Sequence, residues 1–141
     1  DQSPPLNLAI TSADRLIGSI GLLPGSDSSR ASAEVGYWLG EDHWGRGIAT
    51  LALHKIVDHG FRILPDLNRV FAYVDEGHIA SLRVLEKNGF RREGHLLGAT
   101  LKRGELRNLF LYAITRHEAA AHAEEAGHQA DDRLGRRSEL R

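Results

Sequence analysis

The sequence predicts one mixed α/β or α+β domain over residues 1–116, followed by a polar tail over residues 117–141. Three observations support this prediction. The chain has 141 residues, which is the length of a single domain. Up to residue 116, short apolar segments of strand character alternate with segments of helical spacing. In the tail, Leu134 and Leu140 are the only large aliphatic residues, so it has no apolar face for a core and is either helical near residues 119–126 or disordered.

The first part of the domain predicts three strands. Apolar segments at 6–10 and 16–23 flank a polar turn, and Pro24-Gly25 ends the second of them. The third strand covers residues 34–39 and alternates between two faces. One face carries Val35, Tyr37 and Leu39, and the other carries Glu34, Gly36 and Trp38.

The second part predicts helices that alternate with strands. The elements are, in order, helix 48–61, strand 70–74, helix 80–87, and a hairpin of 96–101 with 106–114 whose first strand begins at Phe90. Gly60 is expected to end the first helix and Asn88-Gly89 the second, because both sequences favour a left-handed stop. The predicted order is β-β-β-α-β-α-β-β.

Composition excludes several classes of protein. The chain has no cysteine, which excludes disulfide frameworks, zinc ribbons and thiol nucleophiles and favours a cytoplasmic location. Its 18 basic and 19 acidic residues give a net charge of -1, so it lacks the basic signature of nucleic-acid-binding proteins. No segment approaches the roughly 18 apolar residues of a membrane span. His117 and His122 are five residues apart and diverge by about 140° on a helix, so we expect no metal site.

A glycine turn between the third strand and the first helix predicts an anion site. Because Gly45 and Gly47 have no side chains, backbone N–H groups can converge on a phosphate, and a helix that begins near Ile48 adds its unpaired amides. Arg46 and the Thr50 hydroxyl offer further donors. The turn matches neither the Walker A nor the Rossmann pattern, which disfavours ATP and NAD. The pattern alone is equally compatible with a turn of purely structural role.

Four segments in this order resemble the GNAT acetyltransferase superfamily, and within it the RimJ/RimL-like branch of ribosomal-protein-alanine N-acetyltransferases. The resemblance covers about residues 6–116. The segments are Ala33-Glu34-Val35-Gly36-Tyr37-Trp38-Leu39, then Trp44-Gly45-Arg46-Gly47-Ile48-Ala49-Thr50, the block from Ala80-Ser81 to Gly89-Phe90, and Leu111-Tyr112-Ala113-Ile114.

The resemblance implies a mixed, mostly antiparallel sheet with flanking helices that splays between the strand ending at Leu39 and the strand 70–74. Acetyl-CoA would lie in this opening, with its pyrophosphate on the amides of the glycine turn. The cofactor-binding residues implied are Trp38, Leu39, Trp44, Gly45, Arg46, Gly47, Ile48, Ala49, Thr50 and His78, although both tryptophans also fit a core role. His78 stands where this branch usually has Asn.

The reaction that the resemblance implies is direct transfer of acetyl from the thioester to a primary amine, with the N-terminal amine of a protein as one acceptor. Many superfamily members use a Tyr as proton donor where this chain has Leu85, so Ser81 is the alternative; capping of the helix or packing against the cofactor would explain Ser81 equally well. Glu34 is the candidate base, acting through water, unless it only holds a neighbouring strand.

Relative to the family, the sequence lacks a strand and two helices ahead of Leu6. An uncovered edge strand is therefore expected, at which two copies of the chain could pair as a homodimer. Two other functions remain alternatives because these elements are absent and because Leu85 and His78 replace the usual Tyr and Asn. They are a non-catalytic acyl-CoA-binding module or subunit, and an acetyltransferase for small-molecule amines.

Overall fold

The computed structural model describes the backbone of residues 6–139 and the side chains of residues 6–129. Within these residues, six strands and three helices follow one another in the predicted order. They are β1 (Asn7–Ser12), β2 (Arg15–Pro24), β3 (Ser32–Leu39), α1 (Ile48–Ile63), β4 (Arg69–Asp75), α2 (Ile79–Lys87), β5 (Arg91–Lys102), β6 (Glu105–Thr115) and α3 (Arg116–Glu139). Short 3-10 turns lie at Asp27–Ala31 and Glu41–His43.

The strands form one six-stranded sheet in the order β1-β2-β3-β4-β6-β5. Every neighbouring pair is antiparallel except β3 with β4, which is parallel. The predicted mixed, mostly antiparallel sheet is thus confirmed, and β1 and β5 are its two edges.

The pairing between β3 and β4 ends early. Only Ser32–Arg69, Ala33–Val70 and Glu34–Phe71 are paired. On either side the sheet continues, because β2 pairs with β3 as far as Leu39 and β6 pairs with β4 as far as Asp75. The sheet therefore opens into a split after the third pair, as the resemblance implied.

The core lies on one face of the sheet, which we call the helix face because α1 and α2 pack on it. Paired residues share a face, so the alternating residues of β3 and β4 divide between the helix face and the opposite, open face. The helix face contributes Ile20, Leu22, Ala33, Val35, Val70, Ala72, Val74, Tyr112 and Ile114, which pack with Leu53, Ile56, Val57, Phe61, Leu82 and Leu85 of the helices. The open face carries Glu34 and Phe71, which pair directly, and the half-exposed Trp38 and Tyr73.

The prediction that Gly60 ends the first helix is wrong. α1 continues to Ile63, and Gly60 is buried inside it. A Cβ at this position would lie 2.4 Å from Leu22 Cδ1. The glycine thus serves the close approach of α1 to β2, while the end of α1 is held by the Arg116 guanidinium, which donates to the carbonyl oxygen of Phe61 at 2.6 Å.

The tail differs from the expected short helix near residues 119–126. α3 runs from Arg116 to Glu139 without interruption, since its many Ala, Glu and Arg residues are good helix formers. Its first turn is fixed to the body, because Glu118 accepts hydrogen bonds from Thr115 and forms an ion pair with Arg91. The boundary of the domain at residue 116 stays a prediction. Among the described helices, none is long and apolar enough to cross a membrane.

Asn88 connects the two helices that flank the split. It is the one buried polar residue in the described part of the chain, and its side-chain amide donates to the carbonyl oxygens of Thr50 in α1 and Val84 in α2, at 3.1 and 3.0 Å. The expected left-handed stop is made by Gly89 alone, with φ of 82°. Asn88 therefore fixes the position of α1's first turn relative to α2.

We expect Asn88→Ala to lower the free energy of unfolding by about 1–3 kcal/mol, because it removes two hydrogen bonds from a buried site. Urea unfolding followed by circular dichroism measures the change. Asn68→Ala, at an exposed position, is the control and should change stability by less than about 0.5 kcal/mol. Equal stability of the two variants would show that the connection is not needed.

Candidate functional site

Alternate residues of β3 direct their backbone N–H and C=O groups into the split. The Gly40 N–H donates to the carbonyl oxygen of Ile17 at 2.8 Å, across the β2–β3 ladder. Because hydrogen-bonded and non-hydrogen-bonded pairs alternate along an antiparallel ladder, Tyr37 and Leu39 direct their N–H and C=O groups away from β2. Both lie beyond Glu34, where pairing with β4 ends. An extended ligand that contains amides can pair with this backbone as an added strand does.

The glycine turn lies at the mouth of the split, between β3 and α1. Gly45 and Gly47 have φ of 74° and 77°, in the left-handed region that favours glycine. A Cβ at either position would meet no atom within 4 Å, so the space in front of the turn is open. Gly47 is the N-cap of α1 and makes no side-chain capping hydrogen bond, which leaves the first amides of the helix, at Ile48, Ala49 and Thr50, to other partners.

Trp44 ties this turn to the end of β3. Its indole N–H donates to the Leu39 carbonyl oxygen at 2.6 Å. Arg46 is exposed beside it. This hydrogen bond holds the glycine turn, and with it the uncapped start of α1, beside Leu39. Trp38 projects to the open face instead, where it lines a cleft of about 700 Å³ that also includes Arg46.

Ser81 lies across the split from β3. It is the third residue of α2, and its Oγ is 3.1 Å from the hydroxyl oxygen of Tyr37. Both side chains are half-buried, and burial raises the pKa of Tyr37, an effect that the hydrogen bond to Ser81 partly offsets. The sequence analysis did not include Tyr37 among the site residues. The alternation predicts that Tyr37 lies on the face of β3 that carries Val35. It does not indicate a partner 44 residues away in the sequence.

Glu34 and Ser81, the two predicted catalytic residues, lie on opposite faces of the sheet. Glu34 is half-buried on the open face at the last β3–β4 pair, and Ser81 is on the helix face. They do not contact each other, but both border the split. His78 is the N-cap residue of α2 and is exposed, while Leu85 is completely buried in the core and has no proton to give.

The match to a family model for the acetyltransferase (GNAT) domain covers residues 1–91. The chain belongs to the GNAT acetyltransferase family. An uncharacterized N-acetyltransferase of Bacillus licheniformis, p20, is 32% identical over 84% of this chain and 66% of its own length. The probable N-acetyltransferase YjcK of Bacillus subtilis is 38% identical over 67% of this chain and 51% of its own length.

Solved structures agree with this assignment. Mycobacterium smegmatis RimJ, in complex with CoA-disulfide, is 33% identical to this GNAT chain and superposes with a TM-score of 0.72 over 86% of it and 61% of RimJ. The chain thus spans between about half and two-thirds of the length of the relatives that it matches. Among the described residues, no group of three or more His, Cys, Asp or Glu is arranged to hold a metal ion.

A polar cluster at the end of β4 supports the site in this GNAT domain. Both Asp75 carboxylate oxygens accept from the Arg107 guanidinium at 2.8 Å, and one of them also accepts from the Gly77 N–H. Glu76 accepts from Asn108 at 3.0 Å and lies 2.7 Å from His95. These contacts attach the turn between β4 and α2 to the β5–β6 hairpin, and so position the first turn of α2. None of these residues is among those predicted from the sequence, because their side-chain partners lie 19 to 32 residues away.

The hydrogen bond from Arg107, with a smaller contribution from the Gly77 N–H, holds the pKa of Asp75 well below its usual range. A carboxylate whose pKa is lowered by folding contributes stability above its unfolded pKa, near 3.9, and loses that contribution as pH falls below it. We therefore expect Asp75→Asn to be less stable than the unmodified chain at pH 6, and the difference to shrink below about pH 4.

Urea unfolding at a series of pH values tests this expectation. Asp66→Asn is the control, since Asp66 forms an ion pair with Arg30 in which both side chains are largely exposed and little stability is at stake. A stability difference for Asp75→Asn that stays constant from pH 6 to pH 3 would contradict the role given to its charge.

Proposed function

We propose that this chain binds acetyl-CoA and transfers its acetyl group to a primary amine. The observation that carries the proposal is the split between β3 and β4, which opens directly beside the free amides at the start of α1. One end of this surface suits an amide-containing arm and the other suits a diphosphate. The binding of CoA-disulfide by RimJ, a relative of similar fold, supports this ligand.

The two parts of acetyl-CoA fit two parts of the surface. The amides of pantetheine would pair with the backbone of Tyr37 and Leu39, which faces the split. The pyrophosphate would accept from the amides of Ile48, Ala49 and Thr50, at the positive end of α1. Arg46 would add a charge-assisted hydrogen bond. His78 would orient the arm from the start of α2.

The chemistry needs no nucleophile from the protein, because acetyl-CoA supplies an acyl group already activated as a thioester. The amine nitrogen bonds to the carbonyl carbon, and the bond from carbon to sulfur breaks. Glu34 takes the amine proton through a water molecule. A backbone N–H near Leu39 donates to the carbonyl oxygen as negative charge develops there. Ser81 provides a proton to the departing sulfur and regains one from water.

The acceptor would enter from the open face. The helix face at the split is occupied by the Tyr37–Ser81 contact, whereas the open face presents Glu34 with the partly exposed aromatic rings of Trp38 and Tyr73. Aromatic rings and a carboxylate on one face suit an amine that arrives as a cation. The N-terminal amine of a protein is the acceptor that we favour within this class. The cytoplasmic location and a homodimer formed through the β1 edge stay predictions.

We expect Gly47→Glu to abolish acetyl-CoA binding, because it places a negative charge in front of the amides that would hold the pyrophosphate. Isothermal titration calorimetry measures the change, and we expect Kd to rise by at least about 100-fold. Gly104→Glu is a matched control: Gly104 also has a positive φ, of 80°, with open space around it, but it lies in the β5–β6 turn. Normal binding by Gly47→Glu would exclude the glycine turn as the pyrophosphate site.

We expect Glu34→Gln to lower kcat by about 100-fold or more while the Kd for acetyl-CoA stays within about twofold, because a general base acts on the amine and not on the cofactor. Release of CoA is followed with a thiol reagent over a panel of amines that includes peptides and a diamine. Glu105→Gln, at the exposed first residue of β6, is the control. An unchanged kcat would leave Glu34 with a structural role, and binding without any turnover would indicate a non-catalytic module.

A further inference from the structure

The Tyr37–Ser81 contact joins the two sides of the split through their side chains. Tyr37 belongs to β3, on the side of the glycine turn, and Ser81 belongs to α2, which follows β4. Their hydroxyl oxygens are 3.1 Å apart in a half-buried position. The backbone of Tyr37 faces the split, where the pantetheine arm would lie, and the two hydroxyls meet on the helix face between the two sides of that split.

We propose that Tyr37 is a positioning residue for Ser81: it donates its hydroxyl proton to Ser81 Oγ and so leaves the Ser81 proton to be directed at the departing sulfur. This assignment rests on the proposed function, in which Ser81 is the proton donor.

The direction of the hydrogen bond decides what Ser81 can do. Each hydroxyl has one proton, and the single contact uses one of the two. If Ser81 donated to Tyr37, it would have no proton for sulfur. A phenol is a much stronger acid than an aliphatic alcohol and is therefore the better donor, so the bond runs from Tyr37 to Ser81 Oγ and the Ser81 proton is free for a third atom.

Burial keeps Tyr37 in the donor state. Because its pKa is raised above the usual value of 10, the phenol stays protonated at the pH where a thiol with a pKa near 8.5 ionises. Tyr37 thus holds Ser81 without giving up its own proton. When the bond from carbon to sulfur breaks, sulfur takes the proton of Ser81 and Ser81 takes one from water. The hydroxide that remains is neutralised by the amine proton that Glu34 has taken, so the proton count balances and Tyr37 is unchanged.

The test compares Tyr37→Phe, Ser81→Ala and the double variant of the full chain. We expect Tyr37→Phe to lower kcat by about tenfold or more, with the KM and Kd for acetyl-CoA within about twofold. We expect the double variant to lose no more than Ser81→Ala alone, because Tyr37 acts only through Ser81. A loss of packing would instead change KM, Kd and the melting temperature together.

Tyr112→Phe is the matched control. Tyr112 is also a tyrosine on the helix face, and its hydroxyl donates to Glu86 at 2.8 Å, but it lies away from the split. Its kcat should stay within about twofold of the unmodified chain even if its melting temperature falls. An unchanged kcat for Tyr37→Phe, or a loss that adds fully to that of Ser81→Ala, would overturn the assignment of Tyr37 alone.

Failure of the proposed function is recognised separately, in the unmodified chain. If that chain binds no acetyl-CoA, or binds it and releases no CoA with any amine or with water, the transferase proposal is wrong and the assignment of Tyr37 falls with it. If the unmodified chain turns over acetyl-CoA but Tyr37→Phe has the same kcat as the control Tyr112→Phe, the transferase proposal stands and the positioning role does not.

Discussion

The early end of pairing between β3 and β4 is the constraint on which the rest of the structure depends. Strands that begin as parallel neighbours separate after Glu34 and Phe71, and the backbone beyond them faces an opening instead of a partner. Each side is kept straight by its other neighbour, β2 or β6. Two polar contacts span the opening, from Asn88 to Thr50 and between Tyr37 and Ser81. Since unpaired backbone groups are costly when buried, such an opening suits a polar ligand.

The arrangement of the site follows from this opening. β3 ends beside it, so the chain must turn there, and Gly45 and Gly47 allow a tight turn that leads into the uncapped start of α1. Trp44 fastens that turn to Leu39, which sets the start of α1 at the mouth of the opening. On the other side, the carboxylate of Asp75 fixes the turn that leads into α2. The same separation of strands thus places the uncapped amides of α1, a hydroxyl pair and the half-buried carboxylate of Glu34 around one split.

Most of the fold, and the glycine turn ahead of α1, could be predicted from the sequence, because they depend on local patterns. Alternation in residues 34–39, helical spacing and glycine turns each act over a few residues. What could not be predicted are contacts between distant segments. The Tyr37–Ser81 bond spans 44 residues and the Asp75–Arg107 pair spans 32. The role of Gly60 could not be predicted for the same reason, since it depends on the contact of α1 with Leu22 of β2.

The narrow junction between the two parts of the sheet also bears on cooperativity. Three residue pairs join β3 to β4, whereas seven join β2 to β3 and seven join β4 to β6. The strands β1–β3 and β4–β6 therefore resemble two foldons that are weakly coupled through the backbone. A ligand bound between them would contact both units and hold them together. Its binding would therefore slow the exchange of amide protons in both units. In such a molecule, occupancy of the site determines whether the two halves of the sheet unfold together or separately.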